Sequence, residues 1–126
     1  MNHLRALAEA RNITITEGRM KHHTGLLIPE IKTVVISTRF DYPTQRVALA
    51  HQLGHHELGH PLILDQPKTP EQERRADEWA ATQLLTPQAF LDAKERHQDD
   101  LDAMAESLIV TTGIIRVWQD CIGQCA

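Results

Sequence analysis

Apolar residues recur at helical spacing near the N-terminus, at Leu4, Leu7 and Ala8, and predict a helix over roughly residues 2–11. The period then changes. Ile13 and Ile15 alternate with Thr14 and Thr16, a short strand that Glu17-Gly18 ends. Gly25-Leu26-Leu27-Ile28 reads as a second strand, Pro29-Glu30 as a turn, and the β-branched run Thr33-Val34-Val35-Ile36-Ser37 as a third. The links between them are short, so a small antiparallel sheet is expected. Asp41-Tyr42-Pro43-Thr44 opens a long helix with proline in its first turn, and Gly59-His60-Pro61 must stop it. A loop should cover 63–68. Thr69, Pro70 and Gln72 then form a capping-box start for a helix with Ala76, Trp79, Ala80 and Leu84 on one face. Thr86-Pro87 repeats the cap and starts a helix to about Arg96, and further helices are expected near 100–107 and 112–120.

The pattern predicts an α+β fold: a small antiparallel sheet on a central helix, then a helical C-terminal half. Two parts are expected, a core over 1–86 and a small helical, helix-turn-helix-like subdomain over 87–126 packed on it. Composition narrows the function classes. With 126 residues, 41% of them hydrophobic, the chain supports one core, and its formal net charge of −4 argues against direct nucleic-acid or membrane binding, both of which need cationic surface. The first residues, MNHLRALAEARN, lack the apolar stretch of a signal peptide, and no run approaches the roughly 18 apolar residues of a membrane span. A cytoplasmic protein is expected, with Cys121 and Cys125 as reduced thiols.

The candidate chemistry lies in Gln45–His60, QRVALAHQLGHHELGH, which holds four of the eight histidines. Residues four apart on a helix lie roughly 40° apart around its axis, so His51 and His55 can share one metal ion, and so can His56 and His60. Metalloproteases of the His-Glu-x-x-His type use the Glu as general base. The first pair here has Gln52 at that position; the second has Glu57. Taking His51 as 0°, His56 and His60 fall near 140° and 180°, the side where Leu49 and Leu53 make a core face upstream. The His51/His55 register is therefore preferred, and His56 and His60 are expected at the surface or behind the ligands. A catalytic zinc site takes three protein ligands. Glu73 can supply the third, and Asp77, one turn on, can accept a free ring N–H from a ligand histidine.

Two stretches carry a family resemblance: Ala48-Leu49-Ala50-His51-Gln52-Leu53-Gly54-His55 and Glu73-Arg74-Arg75-Ala76-Asp77-Glu78-Trp79-Ala80. In this order, followed by Leu84-Leu85-Thr86-Pro87, they resemble the ImmA/IrrE family of zinc metallopeptidases, over nearly the whole chain. The resemblance implies a zincin-like fold, Zn²⁺ on His51, His55 and Glu73, and cleavage of helix-turn-helix repressor proteins that control mobile-element or stress-response genes. The departure is Gln52, which keeps the shape of Glu but cannot take a proton, so this chain is expected to be nearly inactive. An introduced Glu-to-Gln change, a natural pseudoenzyme and a site shifted to His56, Glu57 and His60 are the three explanations.

Other residues could play supporting roles. The strand containing Val34, Val35 and Ile36 directly precedes the metal helix and could pair with a substrate strand, main chain to main chain. Tyr42, the only tyrosine, could donate to an oxyanion. His22 and His23 read as exposed loop residues, and Trp79 and Trp118 as core. Residues 101–118 look like a helix-turn-helix, with Ile109 at the turn and Arg116 as the one cation of its second helix, too few for phosphate contacts. The reading is a zinc endopeptidase acting on a protein repressor. The alternatives are a non-catalytic zinc-binding regulator that sequesters the repressor, and a DNA-binding regulator acting through 101–119.

Overall fold

The computed structural model describes residues 1–60 and 68–122, the last two by backbone alone. Apart from Lys68, the expected loop over 63–68 lies outside these residues, as do the side chains of both cysteines. The elements are α1 (Asn2–Ala10), β1 (Thr14–Gly18), β2 (Gly25–Ile28), β3 (Thr33–Ser37), α2 (Tyr42–Glu57), α3 (Pro70–Leu84), α4 (Pro87–His97), α5 (Leu101–Leu108), α6 (Thr112–Val117) and a π-helical turn, Trp118–Ile122.

The fold class is α+β, but the sheet is mixed. Its order is β1-β3-β2, with β1 parallel and β2 antiparallel to β3. Short links made an all-antiparallel sheet the expectation; the six residues between β1 and β2 instead cross the end of β3. Ser37, fully buried at that end, holds the crossing: its hydroxyl donates to the Met20 carbonyl (2.8 Å) and accepts from the Met20 amide (3.1 Å). The Ser37 amide donates to the Thr24 carbonyl at 2.9 Å, which ties down the far end of the crossing. Six residues can span about 20 Å, twice the roughly 10 Å between strands two places apart.

Leu27, Val34 and Ile36 on the sheet and Leu49 and Leu53 on α2 belong to one buried cluster that also takes in Leu4 of α1 and Met104, Ile115 and Trp118 of the C-terminal half. Trp118 packs on Phe90, ring centroids 5.7 Å apart, while Trp79 is only half-buried. Arg46 of α2 donates through one guanidinium nitrogen to the carbonyls of Leu108 (3.2 Å) and Ile109 (2.9 Å), tying the central helix to the end of α5. Among the described residues no helix is long and apolar enough to cross a membrane.

Several helices end in the same way. In α1 the Ile13 amide reaches back to the Ala8 carbonyl and Asn12 (φ 57°) to Glu9; in α5 Val110 reaches Ala105 and Ile109 (φ 57°) reaches Glu106. This is the Schellman arrangement, in which a left-handed residue turns the chain and the next residue packs back on the last turn. It explains why β1 starts at Thr14, not Ile13: the Ile13 amide belongs to the cap of α1. It also places a β-branched side chain, Ile109, 44% exposed, in a conformation that costs it roughly 1–2 kcal/mol. Ile109→Gly relieves that strain, offset by roughly 0.4–1 kcal/mol of extra unfolded-state entropy. A net gain of about 1 kcal/mol is expected in urea unfolding.

Candidate metal centre

Two helix starts written in the sequence aim the site. Asp41 caps α2 by accepting from the Thr44 amide (3.1 Å), and Thr69 and Gln72 form the reciprocal capping box of α3. The two helices pack through small residues: Ala50, Ala76, Ala80 and Ala81 are fully buried. Gly54 is required at the crossing, because a Cβ there would lie 3.1 Å from both the Ala76 carbonyl oxygen and a ring carbon of Trp79. This close approach brings the first turns of α3, with Glu73 and Asp77, onto the His51/His55 face of α2.

Three ligand atoms converge. His51 Nε2 and His55 Nε2 are 3.0 Å apart; Glu73 Oε2 lies 3.1 Å from the first and Glu73 Oε1 3.0 Å from the second. A tetrahedral site with metal–ligand bonds of about 2.0–2.1 Å sets its ligand atoms about 3.3 Å apart, so this N₂O donor set fits a zinc-sized ion with small adjustments. Among the described residues, it is the group of histidines and carboxylates spaced to hold a metal. His55 is fully buried, whereas the Glu73 side chain is 49% exposed, so the site is open on the glutamate side. That side continues into a cleft of about 350 Å³ lined by Thr24, Thr44, Val47, Ala48 and Thr111 beside the ligands.

Each histidine has a partner at its other ring nitrogen. His51 Nδ1 donates to Asp77 Oδ1 at 2.6 Å. Burial works against the His51 imidazolium, but the hydrogen bond and charge of Asp77, with help from Glu73, outweigh it and raise its pKa above the ordinary value. Burial and the neighbouring His51 push His55 down to about 4. His55 is therefore neutral at pH 7 and can coordinate without losing a proton, whereas His51 keeps its proton to higher pH than an ordinary histidine. Metal uptake should strengthen with rising pH until His51 is deprotonated, above the ordinary histidine value, and level off beyond. Asp77→Asn removes the main raising partner and should move that break to lower pH. Chelator-competition titrations between about pH 6 and 9 would show both effects.

The other candidates lie elsewhere. Gln52 sits beside the ligands, half-buried, its amide donating to the Gly25 carbonyl of β2 at 3.4 Å. Glu57 is ion-paired with Arg11 at the end of α1, away from the three ligands. His60 is not on the helix: α2 ends at Glu57, Gly59 takes φ 68°, and the His60 ring turns back so that its Nδ1 lies 2.9 Å from His55 Nδ1. The expected second pair, His56 with His60 on the opposite side, is therefore not formed. β3 is the middle strand and has no free edge, with Val34 and Ile36 buried and Val35 half-buried, so these residues are not placed to take a substrate strand. The free edge beside α2 belongs to β2. Tyr42 is 48% exposed in the first turn of α2, about 13 Å along the axis from His51. His22 and His23 are exposed. Sequence reasoning missed the His55–His60 contact, though Leu58-Gly59 carried the cap signal that produces it.

A family model, the IrrE N-terminal-like domain of the peptidase family M78, matches residues 8–117. That span contains all three candidate ligands, Gln52 and Asp77. No curated protein matches the chain.

Proposed function

The chain belongs to the IrrE N-terminal-like peptidase family, and from that premise we propose that it is a zinc metalloendopeptidase of the ImmA/IrrE type, silenced at position 52, whose target is a helix-turn-helix repressor in the cytoplasm. The observation that carries the reading is the convergence of His51, His55 and Glu73 to 3.0–3.1 Å from two different helices. Zinc, when held there, supplies a Lewis acid and lowers the pKa of water. The chain's own residues do the rest. Asp77 fixes the ring of His51, and the cleft beside Glu73 receives a substrate side chain. The open edge of β2, and not β3, accepts a substrate strand main chain to main chain. A carboxylate at position 52 would take the proton of the attacking water and return it to the leaving amine. The Gln52 amide can hold that water but cannot take the proton.

One observation favours the non-catalytic variant of this reading, a zinc-binding regulator that holds the repressor intact. The hydrogen bond from Gln52 Nε2 to the Gly25 carbonyl needs an N–H donor, which a glutamate carboxylate lacks. The test for both is zinc content after dialysis, expected at one equivalent per chain, together with incubation against a panel of helix-turn-helix repressors. Repressor bound but uncut supports the silenced site. A chain with no zinc and no bound repressor would sink the proposal.

The DNA-binding alternative has less support. The candidate recognition helix is short, Thr112–Val117, followed by a π-helical turn, and its one cation is Arg116. No sequence preference is expected in a DNA anisotropy titration at moderate salt; submicromolar binding abolished by Arg116→Ala would reverse that conclusion.

A further inference from the structure

The end of α2 departs from the other helix ends of its type. In the Schellman arrangement the residue after the left-handed turn ordinarily makes an apolar contact with the third residue from the helix end. That holds for Ile13 over Ala8 in α1 and for Val110 over Ala105 in α5, where all four residues are buried apolar groups. At α2 the same backbone bonds occur, Gly59 amide to His56 carbonyl (3.2 Å) and His60 amide to His55 carbonyl (3.1 Å). Here the packed pair is two histidines, with ring centroids 5.1 Å apart and the two Nδ1 atoms at 2.9 Å.

We propose that His60 is a positioning residue for the metal centre: its Nδ1 accepts the Nδ1–H of His55 and so fixes the ring and tautomer that present His55 Nε2 to zinc. This rests on the metal-site reading above and extends it. His55 Nε2 points at Glu73 and His51, so a metallated His55 must carry its proton on Nδ1, and the atom in reach of that proton is His60 Nδ1. His60 must then carry its own proton on Nε2. The two ligand histidines are thus held differently, His51 by the carboxylate of Asp77 and His55 by a neutral imidazole delivered by the helix cap. Gly59 makes the delivery possible, since its φ of 68° is one that a residue with a Cβ adopts only at a cost.

The experiment uses the full chain and zinc itself. Outer partners of ligand histidines typically contribute 10–100-fold in metal affinity. His60→Phe keeps an aromatic ring but has no acceptor, and should weaken zinc binding on the order of 10-fold or more in chelator competition. His60→Asn should restore most of it, because the Asn Oδ1 hangs from Cγ as the histidine Nδ1 does. In ¹⁵N spectra of the zinc-loaded protein, His60 should be the Nε2–H tautomer, with a coupling across the hydrogen bond to His55 Nδ1. Undiminished zinc affinity in His60→Phe would overturn the assignment. So would an Asn variant as weak as the Phe variant, or an Nδ1–H tautomer at His60. A chain that takes up no zinc at all would overturn the metal reading, and this inference with it.

Discussion

Gln52→Glu is expected to raise cleavage of the cognate repressor by at least about 10²-fold, the lower end of what a positioned general base contributes. Gln and Glu are nearly isosteric, and the three candidate ligands lie at other positions, so zinc affinity should stay about the same. The local cost is modest, since the substitution removes one long hydrogen bond, 3.4 Å, from the side-chain amide to the Gly25 carbonyl. A carboxylate cannot make that bond and would turn from the β2 carbonyl toward the cleft, where the base is needed. Binding of intact repressor should be similar in both forms, because recognition does not require the base. Single-turnover cleavage with each form, at equal zinc loading, isolates the chemical step.

The opposite result is also informative. If Gln52→Glu cuts no candidate repressor while Glu57→Ala abolishes residual activity, the base would be Glu57. The structure places Glu57 against Arg11 at the end of α1 and turns His60 onto His55, so that outcome would require α2 to unwind from its cap. Glu57→Ala is instead expected to leave zinc binding and activity unchanged and to remove only the tie to α1. That pair is partly exposed and screened by solvent, so its removal should cost little stability.

What the sequence revealed and what it hid follow from the range of the forces involved. The starts of α3 and α4 could be read because a threonine cap, a following proline and a third-position partner act within four residues. The bounds of β2 and β3 were legible for a similar reason, since their apolar runs are flanked by local breakers. His51, His55, Glu73 and Asp77 could be grouped because each pair sits four apart on a helix, and the family resemblance supplied the pairing between helices. Strand order was hidden. A period of two encodes which face is buried but not which neighbour is paired, and the parallel β1–β3 contact depends on Ser37 holding a link seventeen positions away. That error carried over to the site, because a strand assumed to be an edge became the proposed substrate dock. His60 was misplaced by extending the helical wheel three residues beyond Glu57, where Gly59 had already turned the chain.

Removing any one ligand should abolish tight zinc binding, and Glu73→Ala is the cleanest case. His55 is fully buried, so truncating it also opens a cavity. Removing His51 leaves Asp77 without its partner. The Glu73 side chain is 49% exposed and its polar contacts are to the two histidines, so its truncation should change metal-free stability by no more than about 0.5 kcal/mol. Zinc affinity, however, should fall more than about 10²-fold, beyond the upper range for outer-shell partners. Because a ligand that binds only the folded state stabilises it by mass action, zinc at about 1,000 times its dissociation constant should add about 4 kcal/mol to the unfolding free energy of the unmodified chain. At the same zinc concentration Glu73→Ala should gain almost none of this, while His56→Ala should gain nearly all. Paired urea titrations with zinc and with chelator separate the two effects. Zinc stabilisation that is lost in His56→Ala but survives in His51→Ala would move the metal to the other face of α2.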